Sequence, residues 1–294
     1  MNSTAEAFVF QGQAAVRLST PAGAEAVVML QGGQLVSWKP VGGKERLYLS
    51  EKAVFDGVIP IRGGVPVCFP QFSGQGPLPK HGLVRNRPWR LCGDRCGKED
   101  VQVRLEITDS PEILGFWPNP FRAELSIGIE DNRLDIELEV ENLGEASFEF
   151  TAALHTYLRV PEVESLEIHG LYHLGYRDAA QGDEHGCTPR SERAAFLQID
   201  QAVDRVYHDV SRPLLLSDTG FSLGIQQSGF PDAVVWNPWE KAHLDFSDIA
   251  PLDFRHFVCI EAAVARLPQV LAPGEVWWGR QSLINQPDLE SDPQ

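Results

Sequence analysis

Glu261 interrupts HFVCIEAAVA, a run that is otherwise apolar for several residues on either side, so its carboxylate is expected to be partly buried. Burying a charge is costly unless it is paired or hydrogen-bonded. Two readings follow: a structural ion pair with an arginine, or a carboxyl group held for general acid/base work. His155 lies in SFEFTAALHTYLRV, where alternation puts Phe148, Phe150, Ala152 and Leu154 on one face. Glu149, Thr151, Ala153, His155, Tyr157 and Arg159 take the other. The histidine therefore points away from the apolar side, either simply solvated or available for proton transfer near neutral pH.

The densest segment is IRGGVPVCFPQFSGQGPLPKHGLVRNRPWRL, from Ile61 to Leu91. Gly63-Gly64 permits a close backbone approach to a ligand or a sharp turn, and the prolines restrict the loop. Arg62, Lys80, Arg85, Arg87 and Arg90 concentrate positive charge in a chain of net charge −16. Such a cluster suits a phosphate dianion, with arginine supplying a fork and lysine a point charge. Separate surface ion pairs are the plainer reading. GxxxxGK[ST] is absent, so no nucleotide loop is expected, and no GxSxG elbow supports a serine nucleophile. Cys92 and Cys96 in LCGDRCG have no second Cys/His pair nearby to complete a zinc site, and read as two loop thiols. All five cysteines are expected to be reduced.

The elements that must carry these residues are strands. Val101, Val103, Leu105 and Ile107 alternate with polar neighbours, as do Leu134, Ile136, Leu138 and Val140 against Asp135, Glu137, Glu139 and Glu141. Asp131-Asn132 supplies a turn between the second segment and AELSIGIE. Further strands are predicted at Ser147–Val160, Phe196–Ile199, Pro213–Leu216, Phe221–Gln226, Ala233–Asn237, Phe257–Ala265 and Trp277–Ile284. No long helical stripe appears. The predicted fold class is all-β, a large antiparallel two-sheet β-sandwich with few short helices. Ser73–Pro79 and Ala180–Arg193 are predicted as long loops, and QPDLESDPQ (286–294) as a disordered tail.

Across 294 residues, 43% of them apolar, there is material for a large core, and no compositional break marks a linker. A single domain over 1–294 is expected. The acidic balance opposes partners such as nucleic acid or an anionic membrane surface. MNSTAEAFVF lacks a basic segment followed by an apolar stretch, so a cytoplasmic protein is expected.

Arg62-Gly63-Gly64, Lys80-His81-Gly82-Leu83-Val84-Arg85, LHTYLRV, VDRVY, VVWNPWEKA and VCIEAA resemble the glucose-6-phosphate 1-epimerase family of the galactose mutarotase-like group. The resemblance runs from about Gln31 to Trp278 with the motifs in order. It implies a large antiparallel sandwich whose concave sheet face holds the sugar, a sugar phosphate as small-molecule partner; the reaction needs no cofactor and no metal, and a monomer is expected. Carried over, His155 is the general acid and Glu261 the general base. Arg62 and Arg85 contact phosphate, Asp204 contacts sugar hydroxyls, and His81 and Lys80 join the substrate-binding set. Lys80 departs from the glutamine or alanine of the family pattern, which leaves its role open. Ring opening then needs an anionic Glu261 beside an imidazolium, a coupled pair with a bell-shaped pH profile. A sugar-phosphate-binding protein without turnover, an epimerase of free sugars, and a glycosidase built on Asp204 and Glu261 remain as alternatives.

Overall fold

The computed structural model describes residues 2–183, 188, 190–218 and 220–286. The chain opens with an antiparallel meander, β1 (Thr4–Phe10), β2 (Gln13–Ser19), β3 (Glu25–Met29) and β4 (Leu35–Lys39). After β5 (Val67–Cys68) comes a second meander, β6 (Arg90–Cys96), β7 (Val101–Thr108), β8 (Phe121–Glu130) and β9 (Arg133–Asn142), with helix α1 (Pro111–Phe116) between β7 and β8. Then follow β10 (Phe148–Leu154), β11 (Tyr157–Arg159), β12 (Glu167–His169), β13 (Gly175–Asp178), β14 (Arg190–Ser191), β15 (Phe196–Leu197) and β16 (Val203–Tyr207). The last are β17 (Leu214–Asp218), β18 (Phe221–Ser228), β19 (Asp232–Asn237), helix α2 (Ala242–Asp245), β20 (Phe257–Leu271) and β21 (Val276–Asn285).

Two large sheets result. One has the order β14-β13-β16-β19-β20-β10-β5, with β11 also paired to β20. The other runs β15-β12-β17-β18-β21-β9-β8-β7-β6. Strict alternation in β7 and β9 puts Leu105, Ile136 and Leu138 into the space between the sheets, where they meet Leu154, Ile260 and Ala262 of the first. This shared apolar layer makes the assembly a sandwich. No helix among the described residues is long and apolar enough to cross a membrane.

Several expectations are corrected. The sandwich carries a third, four-stranded sheet, β1–β4, that the periodicity did not reveal, because β3 is apolar almost throughout and β1 is mostly exposed. Cys92 and Cys96 lie on β6, not in a loop: Gly93 and Asp94 read as turn formers, but they occupy a bulged edge strand. Within Ala180–Arg193, Arg190–Ser191 is a strand, while 184–187 and 189 lie outside the described residues, as do 287–294 of the predicted tail. Ser147–Val160 divides into β10 and β11, and the division falls at His155. Gly63 and Gly64 pack against neighbouring backbone: at φ +108° and +62°, a Cβ would sit 2.4 Å from the Tyr48 carbonyl oxygen and 2.2 Å from that of Leu35.

Candidate active site

β20 runs through the first sheet with Val258, Ile260, Ala262 and Val264 facing the core, so Cys259, Glu261 and Ala263 face the other way. Beside it Leu154 pairs with Ala262 and Tyr157 with Cys259, a register that sets His155 opposite Glu261. The strand bends there: the Thr156 N–H donates to the Leu154 carbonyl at 2.9 Å, a γ-turn centred on His155. The His155 N–H donates to the Pro66 carbonyl at 3.0 Å, tying the turn to the glycine-rich segment.

His155 Nδ1 lies 3.4 Å from Glu261 Oε1, with the residues 8% and 2% exposed. The contact is not aligned as a hydrogen bond, and among the described residues His155 Nδ1 and Glu261 Oε2 have no hydrogen-bond partner. Both are buried polar atoms of the kind that a bound molecule would satisfy. The pair lines a cavity of about 270 Å³ that also meets Arg62, Lys80, His81, Arg85 and Asp204, so the sequence-derived set converges on one place.

The basic cluster divides. Arg87 makes a forked pair with Glu112 at 2.8 and 2.7 Å, and Arg90 pairs with Glu106 at 2.6 Å, both away from the cavity. Arg62 faces the cavity but is committed: Nε donates to Asp248 Oδ2 at 3.1 Å, Nη1 donates to the Tyr157 hydroxyl at 2.9 Å, and Phe246 lies under the guanidinium. Tyr157 in turn stacks on the His155 ring, with centroids 4.8 Å apart. Neither Lys80 nor Arg85 makes an ion pair with a described carboxylate, and Arg85 Nη2 donates to the Lys80 carbonyl at 2.9 Å. His81 sits at φ +65°, its Nδ1 accepting from the Ser73 N–H at 3.3 Å. The neutral ring therefore carries its proton on Nε2.

Burial dominates the electrostatics. It pushes His155 well below the ordinary imidazole value, helped by the nearby charges of His81, Arg62 and Arg85. It pushes Glu261 well above the ordinary carboxylate value, with Asp204 adding to the rise and Lys80 opposing it. His81 is pushed down to about 3, first by burial and then by Arg85, Lys80 and Arg62. Desolvation thus outweighs the mutual attraction expected to hold an imidazolium and a carboxylate side by side. Burial therefore pushes each group of the pair toward its neutral form.

Sequence reasoning missed Tyr157, Phe246 and Asp248 as cavity residues, and set aside Trp236, weighed with Trp239 as a stacking platform, in favour of buried packing. Tyr157 shares the face of His155 in the alternation, which was the available signal. Trp236 sits edge-on to His155 at 5.9 Å, whereas Trp239 packs on Phe254.

The chain as a whole matches a known family. The family model for aldose 1-epimerase covers residues 14–283. The chain belongs to the aldose 1-epimerase family. A relative from Cenchrus ciliaris, provisionally named a glucose-6-phosphate 1-epimerase, is 32% identical over 291 residues, covering 92% of this chain and 87% of the relative. One from Escherichia coli with the same provisional name is 32% identical over 247 residues, covering 82% and 80%. The crystal structure of a provisionally named mutarotase from Salmonella typhimurium superposes with a TM-score of 0.87 at 25% identity, covering 96% of this chain and 94% of its own. A galactose 1-epimerase from Lactobacillus acidophilus reaches 0.72 at 15% identity over 97% and 98%, a likeness of fold. Family membership makes this aldose 1-epimerase homologue an isomerase with the galactose mutarotase-like fold.

Proposed function

We propose that the enzyme interconverts the α and β anomers of a hexose 6-phosphate, with glucose 6-phosphate the first candidate, using His155 and Glu261 as one proton-transfer unit. The observation that carries this reading is the 3.4 Å juxtaposition of two buried, incompletely bonded titratable groups beneath a cavity mouth bearing Lys80 and Arg85. The names of the relatives support the phosphorylated substrate.

The pair holds a single proton. Its transfer from Glu261 to His155 produces a carboxylate and an imidazolium without changing the net charge of the site, so no ion need be drawn from water. The Glu261 carboxylate then takes the proton of the anomeric hydroxyl while the bond between the anomeric carbon and the ring oxygen breaks. His155 delivers a proton to that ring oxygen, giving the open aldehyde. Rotation about the adjacent carbon–carbon bond presents the other carbonyl face, and reclosure reverses both transfers. Asp204 and His81 Nε2–H offer an acceptor and a donor to ring hydroxyls, which fixes the sugar over the pair.

Because Arg62 is held by Asp248 and Tyr157, the phosphate is assigned to Lys80 and Arg85, and Arg62 to orienting the Tyr157 ring against His155. Lys80→Ala and Arg85→Ala should each raise KM for glucose 6-phosphate about 10-fold or more, the worth of a charge-assisted hydrogen bond, and leave weak turnover of glucose unchanged. Equal losses on both sugars would remove the phosphate assignment.

A further inference from the structure

Behind the proton-transfer pair, the Gln281 side-chain amide joins the two sheets of the sandwich. Gln281 lies on β21 with its register partner Ile136 facing the core, and it is fully buried, at 0% exposure. An amide there is tolerated only if both ends are bonded. Its Oε1 accepts from the Thr156 hydroxyl at 2.5 Å, and its Nε2 donates to the Ile260 carbonyl at 2.9 Å. Thr156 is also fully buried, and its carbonyl accepts from the Ile260 N–H at 3.1 Å, so Gln281, Thr156 and Ile260 form a closed set of bonds.

The sequence positions give this set its meaning. Thr156 follows His155 and Ile260 precedes Glu261. Strand alternation turns Thr156 and Ile260 inward while the proton-transfer residues face the cavity. At the γ-turn the Thr156 N–H is taken by Leu154, so the bend around His155 is held against β20 through the Thr156 carbonyl and side chain. A shift of either strand would alter the spacing between Nδ1 and Oε1.

We propose that Gln281 and Thr156 are positioning residues that fix the His155–Glu261 separation from the opposite sheet. This rests on the reading of that pair as the acid/base unit. Neither residue reaches the cavity, so their action falls on turnover, not on affinity.

The test is anomer exchange measured by NMR on Thr156→Val, Thr156→Ser and the paired Thr156→Val/Gln281→Leu variant, at a temperature where circular dichroism shows each fully folded. Thr156→Val keeps the shape and loses the hydroxyl. It should lower kcat about 10- to 100-fold, as misplacement of reacting groups does, with KM within about 2-fold of the parent. Thr156→Ser, which retains the hydroxyl, should recover kcat to within about 3-fold. The paired variant removes both partners, so that neither Thr156 nor Gln281 leaves the other's polar group orphaned, and should still turn over slowly. A Thr156→Val or paired variant with lowered thermal stability and parental kcat would make the set purely structural and overturn the proposal. His155→Asn is run alongside: turnover near the parent there would show that the acid/base reading itself has failed, and the positioning role with it.

Discussion

Glu261 is the residue at which the proposed function and stability oppose each other. Its raised pKa means that the folded protein holds this proton over a range where the unfolded chain has released it. Stability contributed by the proton is complete below the ordinary carboxylate value and is lost as pH rises through the folded-state value. Glu261→Gln should therefore raise Tm at pH 7 relative to the parent, and the gain should shrink as pH falls to about 4. The same substitution, like His155→Asn, should lower turnover by about 10² to 10⁴-fold. His155 has the opposite sign: its depressed pKa contributes stability above the ordinary histidine range that is lost as pH falls through the folded-state value. Burial pushes the two groups in opposite directions, the imidazole down and the carboxyl up, so the limbs of the kcat profile belong to the pair and not to either residue. Removing one partner should therefore move the remaining limb, and a limb left in place in His155→Asn would mean that Glu261 titrates alone.

At the scale of elements, the strands that were legible in the sequence are those with one face in the core. β7, β8, β9, β20 and β21 show themselves through alternation or a long apolar run. β13 and β16 were not seen through periodicity, because Arg177, Asp204 and Arg205 interrupt it, and those charges belong to the cavity side or to the Arg205–Asp178–Glu192 network. His155 and Glu261 stood out as a polar residue on the outward face and a charge in an apolar strand. The partners that hold them did not: Asp248 lies far along the chain from Arg62, and a buried Gln281 has no local signature. The glycine-rich segment carries its own prediction. Gly82 adopts φ +78°, and a Cβ there would lie 2.1 Å from the Phe69 carbonyl oxygen. Gly82→Ala should destabilise the fold by about 2 kcal/mol or more in chemical denaturation, and displace the neighbouring His81. An unchanged unfolding midpoint would mean that this backbone approach can relax.

Over the whole molecule, a net charge of −16 would repel the proposed anionic sugar, while Lys80 and Arg85 of the cavity lining would attract it over a short range. Salt screens both terms, so kcat/KM for glucose 6-phosphate should change by less than about 2-fold between 0.05 and 0.3 M salt. A steep fall would show that the local positive potential governs encounter. The proposed phosphate-binding mouth and proton-transfer floor are both reached by NMR exchange spectroscopy of α and β anomers with the spontaneous rate subtracted. Accelerated exchange of glucose 6-phosphate, much weaker acceleration of glucose, and loss of both in Glu261→Gln are expected. Binding of glucose 6-phosphate with exchange no faster than in buffer would contradict the proposed function.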